Sequence, residues 1–245
     1  MKKIVFLLIL VLGSGYCEEW QRVYLASYPR SGNHWMRYLI EEATHIATSS
    51  VYADPDEKRP HLPQLFEWIG YCADHGYDGK CRYPEKGEVV IVKTHYPAQE
   101  RAPGDALPFV RVVHMVRHPI DALYSYYVDS QDGHPESLTM PKQTLMGFIY
   151  ELRRFESYWE MQENVLTIRY EDLMEDPYNV LKKVLDFIGY AAQEEDLQRA
   201  ISKYPPSGEV LKHLSCYAQK DRDYITQELS DFMTKYRYVI PSENL

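Results

Sequence analysis

A chain of 245 residues with 45% apolar side chains has room for one α/β domain with a full core, and none for a second domain of ordinary size. Its 27 basic side chains stand against 36 acidic ones, a formal charge of −9, which excludes a global basic field suited to nucleic acid or to an anionic membrane surface. An anion site in such a chain is built locally, from a few placed basic groups.

Met1-Lys2-Lys3, the apolar run Ile4 to Leu12 and the small residues Gly13-Ser14-Gly15 have the order of a secretory leader, which predicts a leader over 1–17 and a domain over 18–245. The apolar run is too short to span a bilayer stably. A buried N-terminal strand is the alternative reading. With the leader in use the protein enters the secretory pathway, to the Golgi lumen or beyond; without it the protein is cytoplasmic. The four cysteines are Cys17, Cys72, Cys81 and Cys216. In an oxidising compartment Cys72 and Cys81 can close a small loop, with free buried thiols as the alternative. They form no Cys-x-x-Cys or Cys/His cluster that suggests zinc.

Arg22 to Ala26 has the β-branched and aromatic bias of a short buried strand, and Trp35, Met36, Leu39, Ile40, Ala43 and Ile46 repeat at helical spacing. The stretch Ser27-Tyr28-Pro29-Arg30-Ser31-Gly32-Asn33-His34-Trp35 between them is therefore a strand-to-helix turn. Ser31 and Asn33 are good N-cap residues, and Gly32 lets the backbone approach a ligand. Amides at a helix start, beside Arg30 and Ser31, suit a tetrahedral anion. The turn has neither the Gly-x-x-x-x-Gly-Lys-Ser/Thr run of a nucleoside-triphosphate loop nor Gly-x-Gly-x-x-Gly.

Residues 49–87 are rich in Pro, Asp, Gly and Tyr and predict an irregular excursion with one short helix near Leu65 to Cys72. Val89 to Val92 is a continuous apolar run, as in a buried parallel strand, and ends in Lys93-Thr94-His95-Tyr96-Pro97. Basic and imidazole groups at that end of a strand stand where open α/β sheets bind ligands. Phe109 to Val116 predicts the next strand, leading into Arg117-His118-Pro119-Ile120-Asp121 and Ser125. Pro119 suits a helix start and Asp121 its first turn. Arg117 and Ser125 then face one crevice.

Residues 129–143 predict a polar loop able to close over a ligand, and Leu145 to Met161 an amphipathic helix with Phe148, Leu152, Phe155 and Trp159 on one face. Asn164 to Arg169 predicts a strand, followed by Tyr170-Glu171-Asp172-Leu173. A helix opens at Asp176-Pro177, turns Leu181, Val184, Leu185 and Ile188 inward and ends at Gly189. Further helices are predicted over 194–203 and 225–236.

The turn at Ser27 to Trp35 resembles the 5′-phosphosulfate loop of the sulfotransferase family, commonly Tyr-Pro-Lys-Ser-Gly-Thr-Thr-Trp. It matches at Tyr28, Pro29, Ser31, Gly32 and Trp35 and departs at Arg30, Asn33 and His34. Lys93 to Pro97 resembles the family's Lys-Thr-His-x-Pro element, Arg117 to Ser125 its Arg-x-Pro-x-Asp and Ser element, and Tyr170 to Leu173 its Tyr-Glu-Asp-Leu. The order of the four is the family's order. The resemblance implies an α/β three-layer sandwich with a mainly parallel central sheet and a P-loop-like phosphosulfate-binding turn. It implies transfer of a sulfuryl group from 3′-phosphoadenosine 5′-phosphosulfate, without a metal, to a hydroxyl or amine of an acceptor, a small hydroxylated molecule or a carbohydrate. His95 would be the base, Lys93 and Arg30 would stabilise the leaving phosphate, and Arg30, Ser31, Gly32, Asn33, His34 and Trp35 would line the donor's 5′ end. Arg117 and Ser125 would hold the 3′-phosphate and Tyr170 the adenine. Between the last helices the family often carries a Gly-rich basic loop; Leu211-Lys212-His213-Leu214-Ser215-Cys216 has no Arg-Lys-Gly run, which leaves that loop without a counterpart. A kinase or ATPase is the competing reading, though no Walker lysine or magnesium carboxylate is in place. A nucleotide- or sulfated-ligand-binding protein without transfer is the other, and the Lys93-Thr94-His95 element argues against it, since a pure binding site needs no base.

Overall fold

The computed structural model describes residues 21–51, 81–82, 84–85, 87–99, 109, 111–133 and 139–241. The leader, Cys17, the short helix at Leu65 to Cys72 and the Cys72–Cys81 pairing lie outside the described residues, as does the middle of the loop expected over 129–143.

Strands β1 (Gln21–Ser27), β2 (Ser49–Ser50), β3 (Val89–Thr94), β4 (Arg111–Val116) and β5 (Val165–Arg169) form one sheet in the order β2-β3-β1-β4-β5. Every pairing is parallel. β1 is therefore central, which is why Val23 to Ser27 are all buried: a strand covered on both faces needs a continuous apolar run. The helices are α1 (Asn33–Thr44), α2 (Pro119–Asp129), α3 (Lys142–Glu160), α4 (Tyr170–Glu175), α5 (Pro177–Ile188), α6 (Glu194–Lys203), α7 (Gln219–Glu228) and α8 (Ser230–Tyr236).

The pleat divides the core. Val23, Leu25, Ile91, Val113 and Met115 pack with side chains of α1, α5 and α6, while Tyr24, Ala26, Val90, Val92 and Val112 pack with those of α2, α3, α7 and α8. The result is the expected three-layer α/β sandwich with a parallel central sheet.

Several local expectations are corrected. The excursion over 49–87 contributes an edge strand, because Ser49 and Ser50 pair with Val92 and Lys93. α1 stops at Thr44, before Ile46, since His45 takes a left-handed conformation (φ 56°) and its N–H closes on Glu41 C=O. α3 buries Leu145, Ile149, Leu152, Phe155, Glu156 and Trp159. Phe148 is only half-buried and lies against Tyr126, with ring centroids 4.6 Å apart. The single helix expected over 225–236 is two, α7 and α8, broken at Leu229, which is itself buried.

Candidate functional site

The carboxyl ends of β1, β3, β4 and β5 open onto a cleft of about 670 Å³, lined by Pro29, Arg30, Gly32, Asn33, His34, Trp35, Lys93, His95, Gln99, Arg117, Ser125, Asp129, Tyr170 and Lys212. All the candidate site residues named from sequence line it except Ser31, which is buried. A parallel sheet brings them together because each strand delivers its following residue to the same edge.

The turn after β1 is unusual backbone. Arg30 has φ 64° and Gly32 φ 95°. Gly32 occupies the N-cap position of α1 with no side-chain cap, so neither Ser31 nor Asn33 caps the helix as expected. Asn33 instead turns its amide back, donating to Leu25 C=O at 2.9 Å and to Ser27 Oγ at 3.2 Å. The Ser31 N–H is spent on Tyr28 C=O at 3.2 Å. The amides left for a ligand are those of the first turn of α1, which have no intrahelical acceptor. A Cβ on Gly32 would stand 2.5 Å from Tyr170 Cδ2. Gly32→Ala should therefore cost at least about 1–3 kcal/mol of backbone strain, with the Tyr170 clash added. Gly208→Ala, at φ 94° with nothing near the added Cβ, should cost less. Thermal unfolding of both variants checks the difference.

His95 Nδ1 donates to Ser27 C=O at 2.7 Å, which leaves the lone pair on Nε2. Burial and the neighbouring Lys93 charge hold its pKa well below the ordinary imidazole value, against the opposing Ser27 hydrogen bond. The imidazole is neutral at pH 7. Lys93 lies with Nζ 3.0 Å from His34 Nε2. Burial, then the Arg37 charge, pushes the Lys93 ammonium down to about 7.

Arg117 is buried at the end of β4. Its guanidinium lies 4.5 Å over the Tyr170 ring, donates to Arg30 C=O at 2.8 Å and stands 3.7 Å from Asp121 Oδ2. Arg30 donates through Nε to Ser125 Oγ at 3.3 Å and pairs with Asp129 at 3.2 Å. The Trp35 indole donates to Tyr204 C=O at 2.9 Å and sets its ring edge toward Tyr170, which gives it a structural share beside its place in the cleft.

Gln99, Asp129 and Lys212 were not singled out as site residues. Asp129 follows Ser125 by one helical turn, a spacing that could have found it. Lys212 carries no such local signal. It is placed by Asp121, which the sequence marks as a complement to the helix dipole and as the Asp of the Arg-x-Pro-x-Asp element, not as a partner of residues 211–213. That carboxylate accepts from Leu211 N–H at 2.7 Å and His213 N–H at 3.1 Å, and lies 3.1 Å from His213 Nδ1. Burial raises the Asp121 pKa, but the His213 hydrogen bond and the Arg117 charge outweigh it and hold the group ionised.

The site suits an anion on one further count. Arg117, which lines the cleft, has a buried Nε with no hydrogen-bond partner among the described residues; Ser31 Oγ has none either, but Ser31 is not part of the lining. Asn33 Oδ1 is also unpaired but is an acceptor, so it serves no anion. Among the described residues no three His, Cys, Asp or Glu side chains gather as metal ligands, and no helix is long and apolar enough to cross a membrane.

The sequence model described as the sulfotransferase domain matches residues 21–236. A WSCD family member of Aedes aegypti is 25% identical over 191 residues, 73% of this chain and 54% of the relative, so the chain spans about half the length of that relative. Sulfotransferase 1E1 of Cavia porcellus is 24% identical over 227 residues, 86% of this chain and 73% of the relative. The crystal structure of mouse sulfotransferase SULT7A1 complexed with PAP superimposes with a TM-score of 0.55 at 15% identity, covering 87% of this chain and 84% of that one. At that identity the likeness is one of fold.

Proposed function

The chain belongs to the sulfotransferase family, and from that premise we propose that it transfers the sulfuryl group of 3′-phosphoadenosine 5′-phosphosulfate to a hydroxyl or amine of a small hydroxylated molecule or a carbohydrate. One observation carries the proposal. A neutral His95 with its Nδ1 proton fixed on Ser27 C=O shares one cleft with four basic side chains, Arg30, Lys93, Arg117 and Lys212.

In this reading the acceptor oxygen or nitrogen attacks sulfur, the bond from sulfur to the bridging phosphate oxygen breaks, and the acceptor proton passes to His95 Nε2. The 5′-phosphate that leaves carries the electron pair of the broken bond. Arg30, Lys93 and the first-turn amides of α1 neutralise that charge as it builds. Arg30 is a rigid fork that prefers two oxygens at once, so Lys93, a point charge, takes the larger part at the bridging oxygen. Arg117 and Ser125 hold the 3′-phosphate, which takes no part in the chemistry but orients the donor. Lys212 joins them, supplying a basic group from the segment that lacked a recognisable counterpart.

The test is a thermal-shift titration with the product 3′-phosphoadenosine 5′-phosphate (PAP), with ATP and magnesium as rival. A ligand bound only by the native state raises Tm by mass action. PAP is expected to stabilise; stabilisation by ATP and magnesium alone would move the kinase or ATPase reading to first place. The pH dependence adds a signature. Lys93 is protonated below its pKa of about 7 and loses its charge as pH rises through that value, while a bound phosphate favours the charged form. PAP affinity should therefore fall from pH 6 to pH 9, by about tenfold per pH unit at the steepest, and the slope should flatten in Lys93→Met. Calorimetric titration at several pH values reads it.

A further inference from the structure

Asp129 is the one acidic group among the described residues that line the cleft. It stands in the last turn of α2, on the face that carries Ser125, and its carboxylate is half exposed. Arg30 spans the two, with Nε on Ser125 and a terminal nitrogen on Asp129. The Asp129 charge also reaches Lys93. A carboxylate is thus held against the two basic groups that the proposed reaction assigns to the leaving phosphate. When Arg30 turns to that phosphate it leaves Asp129, and the carboxylate, with Lys93 still in reach but facing the same phosphate, then stands beside a site filled with anion. Like charges at this range cost free energy unless a cation stands between them. The donor brings none, and a second substrate that carries one relieves the repulsion. The formal charge of −9 on the whole chain acts in the same sense, drawing cations and repelling anionic acceptors.

We propose that Asp129 makes the acceptor site selective for molecules carrying a protonated amine, with donor binding releasing the carboxylate from Arg30 to receive it. This rests on the sulfotransferase reading above and names its acceptor class. Acceptors bearing carboxylate or sulfate groups beside the nucleophile are excluded by the same charge.

The experiment is calorimetric binding to the full chain, first of PAP, then at saturating PAP of two matched pairs, tyramine with 4-ethylphenol and glucosamine with glucose. The cationic member of at least one pair should bind at least about fivefold tighter, a preference that shrinks between 20 and 300 mM NaCl. In Asp129→Asn the preference should vanish while PAP binds more tightly, because Arg30 no longer has a carboxylate to leave. Equal or undetectable binding of both members in both pairs, or a preference that survives Asp129→Asn, overturns the proposal with the sulfotransferase reading intact. Failure of PAP to bind overturns the donor reading and this inference with it. Should Asp129→Asn fold poorly, the salt dependence in the unaltered chain carries the test.

Discussion

His95→Ala is expected to lose turnover by about 10²- to 10⁴-fold, the usual contribution of a positioned base, while PAP still raises the melting temperature. The separation follows from geometry. His95 is tied to Ser27 C=O, at the end of β1, and the Ser27 hydroxyl is independently held by the Asn33 amide. The turn that would seat the donor therefore keeps one of its anchors when the imidazole is removed. His95→Asn offers a sharper version, since an amide can still donate to Ser27 C=O yet cannot accept a proton. It should be as inactive as the alanine variant. Turnover within a few-fold of the parent in either variant, measured at saturating donor, would remove His95 from the reaction.

The second large effect is on the donor. Arg117→Ala should weaken PAP by about 10- to 100-fold or more, because a charge-assisted contact from a buried guanidinium contributes about 1.5–3 kcal/mol. Arg117 also donates to Arg30 C=O and covers the Tyr170 ring, so its loss loosens the turn and the aromatic wall together. Arg117→Lys should recover little. An ammonium keeps the charge but has no planar face for Tyr170 and no fork to reach Arg30, Asp121 and a phosphate at once. Recovery of PAP affinity in the lysine variant would mean that charge alone is recognised there.

The parts of the fold that could be read from sequence are those whose signal is local. Val89 to Val92 and Arg22 to Ala26 declare buried parallel strands because both faces of each are covered, and α5 announces both ends through Asp176-Pro177 and Gly189. β2 could not be read. Its two serines carry no hydropathy pattern, and only their backbone pairing with β3 makes them a strand. The break between α7 and α8 was hidden because Leu229 is apolar and buried, which kept the helical rhythm intact across it. In the site, the four motifs converge as their positions at strand ends imply. Asn33 departs from its expected cap because N-capping is a statement about one turn of helix, whereas its amide answers to β1, through Leu25 C=O and the hydroxyl of Ser27, the residue whose carbonyl accepts from the His95 ring. Lys212 was out of reach of any local argument, since its place depends on an aspartate far earlier in the chain.

The position of β1 has a consequence for how the molecule is made. The first described strand to leave a ribosome is the middle strand of the finished sheet, and its partners come much later: Gln21 pairs with Val89, and Val23 with Arg111. Until then an apolar segment with two unsatisfied edges waits in the growing chain, and closing such long loops is what slows parallel sheets. Chaperone binding during synthesis should thus concentrate on the stretch from Arg22 to Ser27 until β4 has emerged. A truncation that removes only these few residues takes out the strand joining the two halves of the sheet, so it ends cooperative folding altogether instead of fraying an edge.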